Sequence, residues 1–308
     1  MRSALYSRRV SQWLRWIPLV LGVIALGYVI TVASENLGAR QLRWERFSVR
    51  GALITFAAVT APLFLLAYAW HWVLRQLGIK ISLPESFHAW FTSNLYKYIP
   101  GQIWAPVGRT VIAASHGVPA RATVMTTGLE YGFSILSATL ILLAALGQLV
   151  LAALVALLSL ALIHPRAVRL VKSLGDRVMR RPVELVPLGS RQLGLLLLVS
   201  YVSLGFGVLA LAGVLVCLGI FELSLTRTCA VALTSSFLGG LFFFGAPAGL
   251  GVREAALVVV LTRSGLTAVE ASTAALLLRL ATILGDTVCF AVAGCVFRWR
   301  LPRRDDKQ

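Results

Sequence analysis

Apolar positions along this chain fall in long unbroken runs, not in the alternation of strands or the three-four spacing of surface helices. Trp16–Ser34, Gln192–Phe221 and Thr228–Val252 contain no Asp, Glu, Lys or Arg. Tyr131–Pro165 is another such run, long enough for most of two helices. A bilayer core about 30 Å thick is crossed by roughly 20 apolar residues in a helix. Within lipid the backbone must satisfy its own hydrogen bonds, which helices do and lone strands do not. The pattern therefore predicts an all-α polytopic membrane helix bundle of about six to eight transmembrane helices, formed as one domain over residues 1–308 with short basic tails at 1–15 and 298–308.

The predicted spans are Trp16–Ser34, Gly51–Val73, Ala122–Leu146, Leu149–Ile163, Gln192–Leu218 and Thr267–Phe297. The first follows a basic start, but its apolar run is too long for a signal peptide, so it is read as an uncleaved helix. The second ends in the belt Tyr68, Trp70, His71 and Trp72, which suits the headgroup zone. Two stretches depart from simple spans. Pro84–His116 is aromatic-rich but interrupted at Pro100-Gly101 and at Pro106 and Gly108, which predicts a helix–break–helix at or within the membrane. Thr228–Gly245 and Val252–Ser264 flank Gly245-Ala-Pro-Ala-Gly-Leu-Gly251. Pro165–Arg181 carries six basic residues with Ala167, Leu170, Val171, Leu174 and Val178 on one face, the pattern of an amphipathic helix on the inner leaflet.

The composition agrees, with 58% hydrophobic and 13% charged residues against about 25% charged in a soluble domain. The formal charge of +17 would suggest nucleic acid in a soluble protein. Here the basic residues sit mostly in connectors, the signature of cytoplasmic loops facing anionic lipid. The N-terminus, Arg75–Arg121, Arg166–Arg191 and the C-terminal tail are all basic and are placed in the cytoplasm. Joining them needs an even number of crossings, which favours Thr228–Ser264 as a hairpin broken at Ala246–Gly251 and entered from outside. Thr228–Gly245 is nonetheless long enough to cross alone, and that alternative stays open. Arg40, Arg43, Arg46 and Arg50 fall outside in this scheme, against the charge rule. Cys217, Cys229, Cys289 and Cys295 lie in apolar stretches without CxxC spacing. His71, His88, His116 and His164 show no ligand spacing, and no nucleophile elbow, P-loop or paired-carboxylate motif appears. Neither metal, cofactor nor enzymatic activity is expected.

Candidate chemistry lies where charge meets lipid. Glu130, Arg279 and Asp286 each cost several kcal/mol unless paired or wet, roughly 2.5–3.5 by insertion scales. We expect Glu130 to pair with Arg279 and Asp286 to face a polar cavity. A transport role and a purely structural one are both open. The two breaks also resemble each other, since Gly101 precedes Arg109 by eight residues and Gly245 precedes Arg253 by eight. Interrupted segments in two halves of a chain point to a transporter's binding site. Helix starts offer free N–H groups to an anion, and arginine adds a bidentate fork. The expected headgroup-binding set is Lys97, Gly101, Arg109, Gly249, Gly251, Arg253 and Glu254, with Glu130, Arg279 and Asp286 as buried coupling charges.

Three stretches carry a family resemblance. Lys97-Tyr98-Ile99-Pro100-Gly101-Gln102-Ile103-Trp104 with Gly108-Arg109 resembles a KYxPGxxW…GR stretch. Pro247-Ala-Gly249-Leu250-Gly251-Val252-Arg253-Glu254 resembles a PxGxGxxE stretch. Leu278-Arg279-Leu280 through Gly285-Asp286 is similar to the last helix of the same family. That family is the lysylphosphatidylglycerol synthase transmembrane region, also called flippase-like membrane proteins, and the resemblance covers about residues 10–300. Its lipid-lysylating members carry a further synthase domain, which this chain, ending at Gln308, lacks. The resemblance thus implies handling or translocation of an anionic phospholipid or lipid-linked substrate, and argues against aminoacyl transfer. The alternatives are a non-catalytic partner of a lipid synthase or glycosyltransferase, and a membrane-embedded lipid-modifying enzyme. The expected location is a bacterial-type plasma membrane with both termini cytoplasmic. Membrane lipids are the expected partners, not nucleic acid.

Overall fold

The computed structural model describes residues 47–99, 103–164, 166, 188–242 and 251–297. Among these are nine α-helices and no strand: α1 (Val49–Gln76), α2 (Leu83–Leu95), α3 (Trp104–Ser115), α4 (Ala120–Ala145), α5 (Leu149–Ile163), α6 (Ser190–Cys217), α7 (Leu225–Phe242), α8 (Val252–Arg263) and α9 (Ala268–Val296). A 3₁₀ turn, Tyr96–Tyr98, follows α2. The protein is a helical membrane bundle. Helices α1, α4, α6 and α9 are long and apolar enough to cross a bilayer, while α5 is a shorter apolar helix. Trp16–Ser34, the amphipathic stretch Pro165–Arg181 (apart from Arg166), both tails and the break residues 100–102 and 243–250 lie outside the described residues.

The chain path can be followed from one membrane face to the other. The α1 start meets the α6 end, where the Ser48 N–H donates to the Cys217 carbonyl at 2.9 Å. The α4 end meets the α7 start, where Arg227 donates to the Ala145 carbonyl. These ends share one face. At the other face the α1 end, the α2 start and the α9 end come together, with Phe87 and Phe297 rings 5.2 Å apart. The α2–α3 pair therefore enters from one face and the α7–α8 pair from the opposite face.

Each hairpin is wrapped by its own half of the core. Trp70, Leu74, Phe87, Trp90, Phe91, Leu196 and Cys289 bury the α2–α3 end. Leu211, Leu215, Cys229, Leu257, Leu261 and Ala274 bury the α7–α8 end. Between them sits a small cluster of Leu95, Tyr98 and Ile283. With lipid outside, helix association depends on close packing, which small residues permit. The crossing of α1 and α6 shows this, since a Cβ on Gly213 would stand 2.7 Å from Thr55 Oγ1 and 2.9 Å from its backbone nitrogen. The Thr55 hydroxyl also donates to the Gly51 carbonyl at 2.9 Å.

The two hairpins form for legible reasons. Ser82 caps α2 through a capping box, its hydroxyl and N–H both donating to the Glu85 carboxylate at 2.7 and 2.8 Å. Pro84 sits in the first turn, where its missing N–H costs nothing. At the other end Tyr96 folds its ring over Gly108, where a Cβ would lie 2.6 Å from Tyr96 Cε2. Helix α7 stops at Phe242 and α8 returns beside it, the Ser236 hydroxyl donating to the Arg253 carbonyl at 3.0 Å. The described part of Thr228–Gly245, up to Phe242, thus does not cross alone. It is one arm of a re-entrant hairpin.

Candidate functional site

Both hairpin tips meet on the middle of α9. Asp286 lies ten residues before the end of α9 and Arg279 eleven after its start, so each is about 15 Å from a helix end at 1.5 Å per residue. Asp286 is fully buried and accepts three hydrogen bonds from the α2–α3 tip. Asn94 Nδ2 reaches Oδ1 at 2.9 Å, Tyr98 Oη reaches Oδ2 at 2.6 Å, and Lys97 Nζ reaches Oδ2 at 2.7 Å. A buried carboxylate persists only when its lone pairs are met in this way.

Arg279 belongs to the other tip. Its Nε stands 3.6 Å from Glu254 Oε1 and its guanidinium lies over the Tyr98 ring at 5.7 Å. Glu254 also accepts from the Gly251 N–H at 2.7 Å. Gly251 has φ 85°, a conformation that favours glycine. One carboxylate therefore ties the start of α8 to α9.

Arg109 stands behind the α2–α3 tip and is almost fully buried. Its guanidinium pairs with Glu130 Oε2 at 2.5 Å, and its Nε donates to Ser93 Oγ at 3.3 Å. The Trp70 and Trp90 rings flank it at 5.7 and 5.2 Å. Beside this pair a cavity with room for about one water is lined by Trp70, Thr126, Glu130, Leu196 and Ser200.

Two expectations are corrected by this geometry. Glu130 pairs with Arg109 and not with Arg279, because α3 and α4 are neighbours whereas Glu130 and Arg279 belong to different ion pairs. Asp286 does not face an open polar cavity but is sealed by Asn94, Lys97 and Tyr98. Lys97, part of the expected headgroup-binding set, is paired with Asp286 at 2.7 Å. The amide at Gly251 is likewise already occupied by Glu254. Gly101 and Gly249 lie outside the described residues.

Arg253 is differently placed. Its guanidinium lies over the Phe237 ring at 5.7 Å, and a Cβ on Gly240 would be 2.9 Å from its Cδ. Its Nε is buried and makes no hydrogen bond. Arg279, Glu254, Tyr98 and Tyr131 are all within electrostatic reach of it. Tyr131 in turn is within reach of Arg109 and Glu130. Arg109 and the Arg253 Nε are therefore both buried, and both arginines are within electrostatic reach of Tyr131.

The sequence reading missed Asn94, Tyr98, Ser93 and Tyr131. Asn94 and Tyr98, four residues apart, are a signal that was available, since that spacing sets them on one helical face. Of the histidines, which show no ligand spacing in the sequence, His88 Nδ1 and His116 Nε2 stand 3.1 Å apart at the base of the α2–α3 hairpin. His71 on α1 bonds the Ser86 hydroxyl nearby at 2.8 Å. Among the described residues no group of three or more His, Cys, Asp or Glu could hold a metal.

Neither a curated protein nor a solved structure matches the chain. A family model does, over residues 15–289, a range that takes in both hairpins, their tips and the charged middle of α9. On that match the chain belongs to the lysylphosphatidylglycerol synthase TM region family.

Proposed function

We propose that this protein binds the phosphate headgroup of a membrane lipid where the hairpin tips meet and carries it between leaflets. The observation that carries the reading is Arg253, a guanidinium with a buried, unbonded Nε among charged groups at mid-depth. An arginine fork fits phosphate oxygens. Hairpins entered from opposite faces give the junction two routes of access, the arrangement on which alternating access depends. Arg253 is the primary contact, with Arg279 and Lys97 adding charge as the tips part. Arg109 and Glu130 hold the α2–α3 hairpin in place and do not touch lipid. The protein itself catalyses no covalent step. It works in a bacterial-type plasma membrane with the α2–α3 hairpin opening on the cytoplasmic face, where Arg75, Lys80 and Arg121 gather.

Reconstitution tests this. Purified protein in vesicles should expose a tail-fluorescent anionic phospholipid to an external quencher faster than empty vesicles do. Arg253→Gln should slow that exchange at least tenfold while leaving the elution profile in detergent unchanged. Equal exchange by the variant would contradict the assignment of Arg253. No exchange by the wild-type protein would remove the carrier role and favour a partner protein that positions a lipid enzyme.

A further inference from the structure

The charges at mid-depth can be counted among the described residues. The break residues 100–102 and 243–250 contain no ionisable side chain, and Trp16–Ser34 holds no Asp, Glu, Lys or Arg. Among the described residues the mid-depth charges are Lys97, Arg109, Arg253 and Arg279 against Glu130, Glu254 and Asp286. Each carboxylate has its own cation: Asp286 has Lys97, Glu130 has Arg109 and Glu254 has Arg279. Among these described residues one positive charge remains, and it sits on Arg253.

Resting on the carrier reading above, we infer that the junction selects lipids by charge and takes a phosphodiester headgroup with a single negative charge. In a medium of low dielectric an uncompensated ion is costly, so the occupied site is most stable when its net charge is zero. A phosphodiester monoanion brings the interior to zero and gives Arg253 the acceptor that its Nε lacks. A zwitterionic phosphodiester also presents phosphate oxygens, but its own cation arrives beside Arg253, Arg279 and Lys97 with no carboxylate left to receive it. A phosphomonoester, with a second ionisation near pH 6, or a pyrophosphate-linked lipid brings surplus negative charge that no further mid-depth cation among the described residues can meet. The close fit of Arg253 between Phe237 and Gly240 holds the surplus charge in one place, so the selection is a property of position as well as of count.

The test compares three tail-labelled lipids at pH 8 in vesicles of unlabelled phosphatidylcholine holding the full chain. The lipids are phosphatidylglycerol with one negative charge, phosphatidylcholine with none net, and phosphatidic acid with nearly two. Wild-type protein should exchange phosphatidylglycerol at least tenfold faster than either of the others. Arg253→Gln should bring phosphatidylglycerol and phosphatidylcholine within about twofold of each other, and Arg253→Lys should keep the wild-type order. Equal rates for all three lipids in the wild-type protein, or a preference for phosphatidic acid, would overturn charge selection and leave the carrier reading standing. No exchange of any lipid by the wild-type protein would remove both. The wild-type comparison decides the matter even if Arg253→Gln fails to fold.

Discussion

A charge stranded in the bundle interior has neither water nor a counter-ion, and that governs what single substitutions do here. Asp286→Asn leaves Lys97 without its carboxylate, and breaking a buried pair in this way costs about 3–5 kcal/mol. The variant should melt well below wild type in detergent, and a second change, Lys97→Met, should restore part of the loss. If Asp286→Asn melts with the wild type, the pair is not the tie that fastens the hairpin tip to α9. Arg109→Gln should be damaging in the same way, because it strands Glu130 beside two tryptophan rings. This reverses the expectation from the sequence, where Arg109 and Arg253 looked alike because each follows a glycine-rich break by the same spacing. Spacing places an arginine near a helix start. It does not tell which carboxylate lies across from it. Glu130 could be identified as a buried carboxylate from the apolar run around it, but its partner depended on which helices adjoin.

At the scale of the elements, the base of the α2–α3 hairpin is held by a pair of imidazoles. Burial lowers the His116 pKa below its ordinary 6.5, and the neighbouring Glu85 opposes this only in part. Burial also raises the Glu85 carboxyl, but its hydrogen bonds with Ser82 outweigh that and leave it lowered overall. With Glu85 ionised 3.8 Å from His116 Nδ1, the neutral His116 carries its proton on that nitrogen. Its Nε2 then accepts from the His88 Nδ1–H. The sign follows directly. A histidine with a lowered folded-state pKa binds its proton more readily when unfolded, so the contact is intact above pH 6.5 and weakens as pH falls below that value. Protonation places two donors face to face. Protection of α3 amides near Ser115, measured relative to the intrinsic exchange rate at each pH, should therefore fall between pH 7 and pH 5, and His116→Asn should flatten that dependence. A protection factor that is independent of pH in the wild type would show that the imidazole pair does not latch the hairpin. The breaks that define both hairpins were legible, because proline and glycine interrupt helices by their own chemistry. The histidine contact was not, since it joins residues 28 apart in the chain through a fold whose turn is set by the Tyr96 ring resting on Gly108. Gly108→Ala should separate the two arms and lower the yield of folded protein, whereas Gly128→Ala, with open space around its Cβ position, should not.

For the whole molecule the decisive property is that the two hairpins enter from opposite faces. Long apolar runs gave the bundle, and charge in the connectors suggested that the α7–α8 pair returns to the side it enters from. Contacts between helix ends then fix the relative sides, independently of any charge rule. Single cysteines at Lys80 and Ser264, both exposed, should react with a membrane-impermeant reagent from opposite sides of sealed vesicles. The native Cys217, Cys229 and Cys289 are buried and should stay unlabelled, and the exposed Cys295 is first replaced by Ser. Reaction of both positions from one side would place the hairpins on the same face and remove the two routes of access. The charge distribution between the halves explains the rest of the architecture. Each tip brings a cation–carboxylate tie to α9, and Arg253 is left over where the tips converge. That convergence is testable at atomic range, by measuring carbon–phosphorus dipolar coupling between isotope-labelled arginine and lipid phosphate in the reconstituted protein. Direct pairing of the Arg253 guanidinium with a headgroup puts its Cζ about 4 Å from phosphorus, a coupling that Arg253→Lys should abolish. Coupling that survives in the variant, and so arises only from interfacial arginines such as Arg75 and Arg121, would contradict a headgroup site at mid-depth.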